Sequence, residues 1–440
     1  MMKHTFLNRC IAMALAVVML VPMLTACGSG GNSSSSGSGT PSGSGSGGDE
    51  DSAETIKIAA FINATGASAA DGEYGRRALD IAVEWINEQH GGIDSMGGRK
   101  LELKYYDMMS DNTMVRTVVE QGLSDPEIAF AVGSMGSGYT MAAIPAIARA
   151  GVPMMTTAMS DNLDEENCEY LWLISPTSSS VSVMTLDYIK SLRDKYGVDI
   201  TKIGIAYCDT EYGVNTTASF QGLIESDPEL GYVTIQSYPP TITDMSPVVT
   251  ALQAAGAEIV YAVPDNQDAK LLMQSLNALD NYDPILIGGG VGMVSPPFGE
   301  ELGDDVQGIM TTGVGSYCQK NLVEDADLRW CVDTYHERWG GFPGEVMSTM
   351  MTYVMIIEQV LEHTGTTDRE TNQQAMAEME FEAANPTTNN IVKFNENRRN
   401  ENALNIMMQW QWVEEFEANI PVCVYPEEFA YSELQFGGNN

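Results

Sequence analysis

Basic residues are scarce in this chain. Lys and Arg number 22 against 60 Asp and Glu, and the formal net charge over 440 residues is −38. So acidic a chain excludes nucleic acid as a partner and argues against a broad basic surface for anionic lipid. An anionic ligand would need a local positive potential, such as a helix N-terminus supplies. Histidine occurs four times, scattered, and neither HExxH nor CxxC is present. Metal chemistry therefore has no support and no cofactor is expected. Of the seven cysteines, Cys10 and Cys27 lie near the N-terminus. The other five, Cys168, Cys208, Cys318, Cys331 and Cys423, are odd in number, so at least one stays free or pairs between chains. Cys318 and Cys331 are spaced to bridge the loop before a helix. Long apolar runs are missing too: residues 11–23 are too short for a comfortable membrane span, and nothing later approaches that length.

That short run follows Lys3 and Arg9 and precedes Leu24-Thr-Ala-Cys27. A basic start, an apolar stretch and a lipobox identify residues 1–26 as a bacterial lipoprotein signal, with Cys27 the lipid-bearing N-terminus after cleavage. Residues 27–53 are dominated by Gly and Ser and read as a flexible tether that cannot bury a core. The expectation is an exported protein held by lipid on the outer side of the cytoplasmic membrane. Residues 54–440 are long enough for two domains.

The most informative stretch of that body is residues 129–160. An apolar strand leads into Gly133-Ser-Met-Gly-Ser-Gly138, then an Ala-rich helix, Gly151, and a second strand ending in hydroxyls at Ser160. In a parallel sheet both loops leave from the same carboxyl edge. Ser137 and its neighbours then sit where the free N–H groups of a helix N-terminus face an anion. Upstream, residues 55–62, 101–107 and 128–132 have strand character and alternate with helices over 73–89 and 113–123, the first stopped at Gly91. The pattern restarts beyond Tyr170: a helix over 178–196, then strands at 202–207, 232–238, 259–263 and 285–287 separated by helices. This is an α/β chain of two doubly wound lobes. Further helices are expected over 328–339 and 346–362. Residues 391–394 and 403–412 suggest a late hairpin, and 413–440 a tail draped over one lobe.

Catalysis finds no footing. Gly133 to Gly138 is out of frame for Gly-x-Ser-x-Gly, and the loop after the first strand carries one glycine where a dinucleotide fingerprint needs three.

The ordered set Gly66, Gly75, Ala78, Ala82, Ile86-Asn87, Gly91-Gly92-Ile93, Gly97, Leu101 and Asp107 resembles the opening of the branched-chain amino-acid-binding proteins. The likeness runs on through Val132-Gly133, Ser137, Gly151-Val-Pro, Asp209 with Tyr212-Gly213, the segment 303–308, Phe394 and Gln409-Trp410. Members of that family are substrate-binding components of ABC importers with the type I periplasmic-binding fold. The resemblance implies two lobes joined by a three-strand hinge, residues 54–173 plus 313–402 and residues 174–312 plus 403–440. It implies a small ligand, an amino acid or related carboxylate, gripped between them, with permease subunits as partners and no chemistry performed. The family's ligand carboxylate site matches Ser137 and the loop carrying Ala158 and Ser160. Tyr212 matches the aromatic that closes over the ligand from the second lobe. Asp265 stands at the end of a second-lobe strand, placed either to pair with a ligand ammonium or to cap the following helix. The family usually supplies an acid from the loop after the last strand of that lobe, where this chain has Gly288-Gly-Gly-Val-Gly292. Either Asp265 or Asp209 takes over, or the ligand lacks an ammonium. Met108, Met109 and Met135 are candidates for an apolar subsite. A tethered sensor of the same fold, passing its signal to a membrane receptor, is the alternative that sequence alone does not separate from import.

Overall fold

Segments that read as unbroken apolar runs become the central strands of two sheets in the computed structural model. It describes residues 54–133, 136–383 and 390–435. The expected signal, Cys27 and the tether lie outside the described residues, as does Met135. In the first sheet, β1 (Ile56–Ile62), β2 (Leu101–Asp107), β3 (Ile128–Gly133), β4 (Met154–Thr156) and β5 (Leu171–Leu173) lie in the order β2-β1-β3-β4-β5. Every pairing is parallel. All of β3 is buried, as are Ile58, Ala59, Ala60 and Phe61 of β1. A strand with helices over both faces has no side to give to water, so alternation disappears from its sequence.

The second sheet contains β6 (Ile203–Cys208), β7 (Tyr232–Tyr238), β8 (Ile259–Val263), β9 (Ile285–Gly288) and β10 (Met310–Gly313). After a small hairpin of β11 (Glu380–Glu382) and β12 (Ile391–Lys393) it is completed by β13 (Ile406–Val413) and β14 (Ala418–Tyr425). The order is β14-β13-β10-β9-β8-β6-β7, with β13 antiparallel to both its neighbours.

Three expectations are corrected here. Residues 391–394 and 403–412 do not pair with each other: β12 joins β11, while β13 joins β10 and β14. The tail after Val413 is not merely draped, because Ala418–Tyr425 is the edge strand of the second sheet. All five cysteines of the body are buried and free, so Cys318 and Cys331 form no bridge. The first helix starts earlier than expected, at Ala69–Trp85, and continues as a π turn, Ile86–His90, to Gly91 at φ 86°.

The chain passes from one sheet to the other after Leu173, after Gly313 and before Ile406. Between the last two passages, helices Ala326–Trp339 and Glu345–Thr364 pack against helix Ala69–Trp85 on the first sheet. Met347, Met350, Met351, Ile356 and Ile357 of the longer helix join the same apolar core as Ile58 and Trp85. The passage after Leu173 is clamped by the returning chain. Leu173 donates its N–H to the Arg398 carbonyl (2.9 Å) and accepts from the Asn400 N–H (2.8 Å). Arg399 between them is 4% exposed and bonds Asp164 at 2.8 Å. Its guanidinium also donates to the carbonyls of Ala158 (3.3 Å), Ser160 (3.1 Å), Ser175 (3.0 Å) and Pro176 (3.2 Å). A buried guanidinium is tolerated only when its five donors are spent in this way. Among the described residues no helix is long and apolar enough to cross a membrane.

Candidate functional site

A cleft of about 550 Å³ opens where the carboxyl ends of the strands of both sheets converge. Its walls include Asn63 after β1, Gly133 ending β3, Thr157 after β4, Asp209 after β6, Asp265 after β8, Gly289 after β9 and Gly313 ending β10. Open α/β sheets bind ligands at these strand ends because the loops and helix N-termini gather there.

The first-sheet wall is built from close backbone approaches. Gly133 has φ 127°, and a Cβ placed on it would fall 2.1 Å from the Phe61 carbonyl oxygen. Asp107 holds the loop after β1, accepting from the N–H groups of Ala64 (2.9 Å) and Thr65 (3.2 Å) and from Thr65 Oγ1 (2.7 Å). Helix Ser137–Ala150 begins at the cleft, where Gly136, Ser137, Gly138 and Tyr139 line it. The Ser137 hydroxyl accepts from the Met159 N–H (3.3 Å) and the Ser160 N–H (3.2 Å). Its hydrogen is left to donate, while those two amides are already committed to Ser137. Residues 157–160 alternate in burial, which puts Thr157 and Met159 on the cleft wall. Ala158 and Ser160 are 1% and 0% exposed and face away from it. Ser160 Oγ instead donates to Glu211 Oε1 at 3.1 Å.

The second-sheet wall brings in Tyr212 and Asp265, both of which line the cleft. Tyr212, in the first turn of helix Glu211–Ser226, donates through Oη to the Gly289 carbonyl at 2.7 Å. Asp265 is both a wall residue and the N-cap of helix Asn266–Asn277. The Asp268 carboxylate accepts from the Asp265 N–H at 3.1 Å, closing a reciprocal capping box. Gly289 and Gly290, where the resemblance implies an acid, are a packing requirement. A Cβ on Gly289 would meet Tyr261 Oη at 2.3 Å, and one on Gly290 the Pro264 carbonyl at 2.3 Å.

Four wall carboxylates, Asp71, Glu211, Asp268 and Glu345, have no counterpart among the sequence candidates. Glu345 opens helix Glu345–Thr364, and its Oε2 accepts from the Val314 N–H at 3.0 Å. Burial pushes its pKa up to about 7 in spite of that bond. Asp71 belongs to helix Ala69–Trp85 and accepts from the Asn266 amide across the cleft. Burial likewise raises it to about 7. Asp268 is raised to about 6 by burial and then by neighbouring Asp265, and burial raises Asp265 as well. An acid at a helix start reads in sequence as a partner of the helix dipole, so Glu345 carried no separate signal. Asp71 fell in a stretch read as loop. Of the methionines considered, Met108 lines the cleft, while Met109 is 38% exposed and lies off it. Among the described residues no group of three or more His, Cys, Asp or Glu is set to hold a metal ion.

This two-sheet architecture and its cleft can be placed among known proteins. A family model described as periplasmic binding protein matches residues 55–411. A Leu/Ile/Val-binding protein homolog 7 from Brucella abortus is 28% identical over 386 residues, covering 86% of this chain and 94% of the relative. Among solved structures, the branched-chain amino acid transporter substrate binding protein LivJ from Streptococcus pneumoniae, in complex with isoleucine, aligns with a TM-score of 0.69 at 20% identity. That alignment covers 85% of this chain and 100% of LivJ. A solute binding protein of an ABC transporter from Rhodopseudomonas palustris, in complex with 3,4-dihydroxy benzoic acid, aligns with a TM-score of 0.70 at 18% identity. It covers 84% of this chain and 96% of that one. The fold is that of type I periplasmic binding proteins, and the chain belongs to the periplasmic binding protein family that includes the branched-chain amino-acid-binding proteins, a family of binders rather than enzymes.

Proposed function

We propose that this protein is the substrate-binding component of an ABC importer, anchored outside the cytoplasmic membrane through lipid on Cys27. It captures a small polar ligand, an amino acid or a related molecule, between two lobes. The lobes are residues 54–173 plus 313–402 and residues 174–312 plus 403–440, and they close by a hinge motion at the three passages. The observation that carries this reading is the cleft itself, of about 550 Å³, lined from both sheets. That volume suits a ligand of amino-acid size. The helix that starts at Ser137 offers dipole and N–H groups to a ligand carboxylate. Asp265 and Glu345 offer negative charge to a ligand ammonium. Tyr212 stands as a cover from the second lobe, and Ala158 and Ser160 support the first-lobe loop from behind. Permease subunits receive the loaded form.

A thermal-shift screen of amino acids, amides and small carboxylates tests the capture reading. A ligand that binds only the folded state raises the melting temperature, by an amount that grows with its concentration over Kd. Silence across the panel counts against it. Cys27→Ser tests the anchor: membrane association is expected to disappear with ligand affinity unchanged, and a variant still pelleting with membranes refutes the lipid assignment.

A further inference from the structure

The charge lining this cleft is one-sided. Among the described residues six wall side chains are carboxylates, namely Asp71, Asp209, Glu211, Asp265, Asp268 and Glu345, and no Lys, Arg or His borders the space. Elsewhere acids find cations readily, yet none of these six is in an ion pair among the described residues. Glu211 is occupied by Ser160 Oγ and Asn162 Nδ2, and Asp268 by the Asp265 N–H. Asp71 receives the Asn266 amide and the Ser295 hydroxyl, with Lys270 acting on it only through space, and Glu345 receives the Val314 N–H. Neutral donors ease desolvation without supplying opposite charge, and burial accordingly keeps these two carboxyls partly protonated near pH 7 until a cation arrives.

A separate feature points the same way. Asn405, 8% exposed, borders the cleft and donates through Nδ2 to Ser180 Oγ at 2.9 Å. The Ser180 hydroxyl spends its own proton on the Thr177 carbonyl (2.8 Å), so the amide must be the donor there and its orientation is fixed. That leaves Asn405 Oδ1 buried with no donor. Ser175 Oγ, at 0% exposure and also on the cleft wall, is likewise unpartnered. Buried polar atoms are paired in native structures; Asn405 Oδ1 can only accept and calls for a donor from a ligand, while the Ser175 hydroxyl can accept or donate. Among the described residues no group of three or more acids is set to hold a metal ion, so the complement to this wall is an organic cation.

Resting on the capture reading above, the geometry points to a ligand with two cationic nitrogen centres and a net positive charge, its nitrogens shared among Glu345, Asp71 and Asp265. Tyr212, Glu345, Asp71 and Asp265 all line the same cleft, which places these acids around one volume. Dibasic amino acids and aliphatic diamines share this chemistry. The former would also use the N-terminus of helix Ser137–Ala150; the latter would leave it to water. An aromatic acid, or a zwitterion with one ammonium, leaves most of the negative wall unanswered.

Calorimetric titration of the folded body with L-lysine, L-ornithine, L-arginine, putrescine, agmatine, L-leucine and 4-hydroxybenzoate decides the matter. At least one dication is expected to bind tenfold or more tightly than leucine, with 4-hydroxybenzoate silent. Glu345→Gln and Asp265→Asn are each expected to weaken that dication at least tenfold while retaining a cooperative melt. Preference for the dibasic amino acids over the diamines assigns a carboxylate to the ligand; equal or better binding of diamines removes it. Leucine or 4-hydroxybenzoate binding as tightly as every dication overturns the inference and leaves small-molecule capture standing. A dication whose affinity neither variant alters also overturns it. Silence across all seven compounds overturns the inference, and capture is then decided by the wider thermal-shift panel.

Discussion

Glu345 ties the electrostatics of the cleft to a measurable stability. Its folded-state pKa is about 7 against an ordinary 4.5, because burial resists the charged form. The proton that the folded state retains contributes stability that is complete below the unfolded value. It is lost as pH rises through the folded value, since there the carboxylate must ionise in place. The two values correspond to ~3 kcal/mol across pH 4.5 to 7. Residual solvent contact at the cleft reduces this to about 1–2 kcal/mol. Gln has the same shape and keeps an oxygen to accept the Val314 N–H at 3.0 Å, but it has no charge to lose. Glu345→Gln should therefore match the parent at pH 4.5 and exceed it by about 1–2 kcal/mol at pH 8. Thermal melts of both proteins without ligand, in matched ionic strength from pH 4.5 to 8, give the comparison. A variant that is no more stable at pH 8, or whose advantage is the same at every pH, refutes the claim that Glu345 is ionised against its surroundings.

Other substitutions probe the frame around the cleft. Arg399→Met should cost about 3–5 kcal/mol in urea titration, since it strands Asp164 and four buried carbonyls. Arg399→Lys should recover little of that loss, because one ammonium cannot span the same acceptors. Gly133→Ala should abolish soluble folded protein, with its Cβ 2.1 Å from a carbonyl oxygen. Gly222→Ala, in an exposed stretch of helix with nothing within 4 Å, should gain about 0.5–1 kcal/mol in the same assay. Tyr212→Phe removes the 2.7 Å bond to the Gly289 carbonyl and should lower stability by about 1 kcal/mol in urea titration; an unchanged midpoint would show that bond to be dispensable.

The parts of this fold that were legible in sequence are those whose pattern is decided by burial alone. β1, β3 and β8 are covered on both faces and read as strands from composition. Partnership was not legible, because alternation in residues 403–412 says which face is buried and nothing about which strand lies alongside. β14 was hidden by Pro421 in its middle, tolerated there because β14 is an edge strand. Helix Arg369–Glu378 escaped because Asn372 and Gln373 stand beside Ala375 and Met376 on its buried side, breaking the apolar stripe. At the cleft, Ser137, Tyr212 and Asp265 were reachable from their places after strands. The step of one residue that puts Thr157 and Met159 on the wall was not, since an extended segment reverses faces with each residue. Arg399 was invisible for another reason: an arginine in a polar loop reads as solvated, and only the fold brings Asp164 and four carbonyls to it.

The distribution of acids between the two halves has a mechanical consequence. Asp71 stands on helix Ala69–Trp85, which packs on β1 and β2, Glu345 on the helix that packs against it, and Asp265 follows β8 in the second sheet. Drawing these carboxylates together in a low-dielectric space costs free energy as long as no cation lies between them. A ligand shifts a hinge equilibrium only by the difference in its affinity for the two states. Under the proposed hinge closure a dication gains from both walls at once only in the closed form, which makes its differential affinity large; a singly charged ammonium leaves part of the repulsion in place. On this argument the same carboxylates that select the ligand also hold the unliganded lobes apart. Glu345→Gln, by removing one of them, should therefore make closure easier without ligand while making it less responsive to one. Small-angle scattering of parent and variant, with and without a bound dication, measures both effects. A larger ligand-induced contraction in the variant than in the parent would contradict the argument.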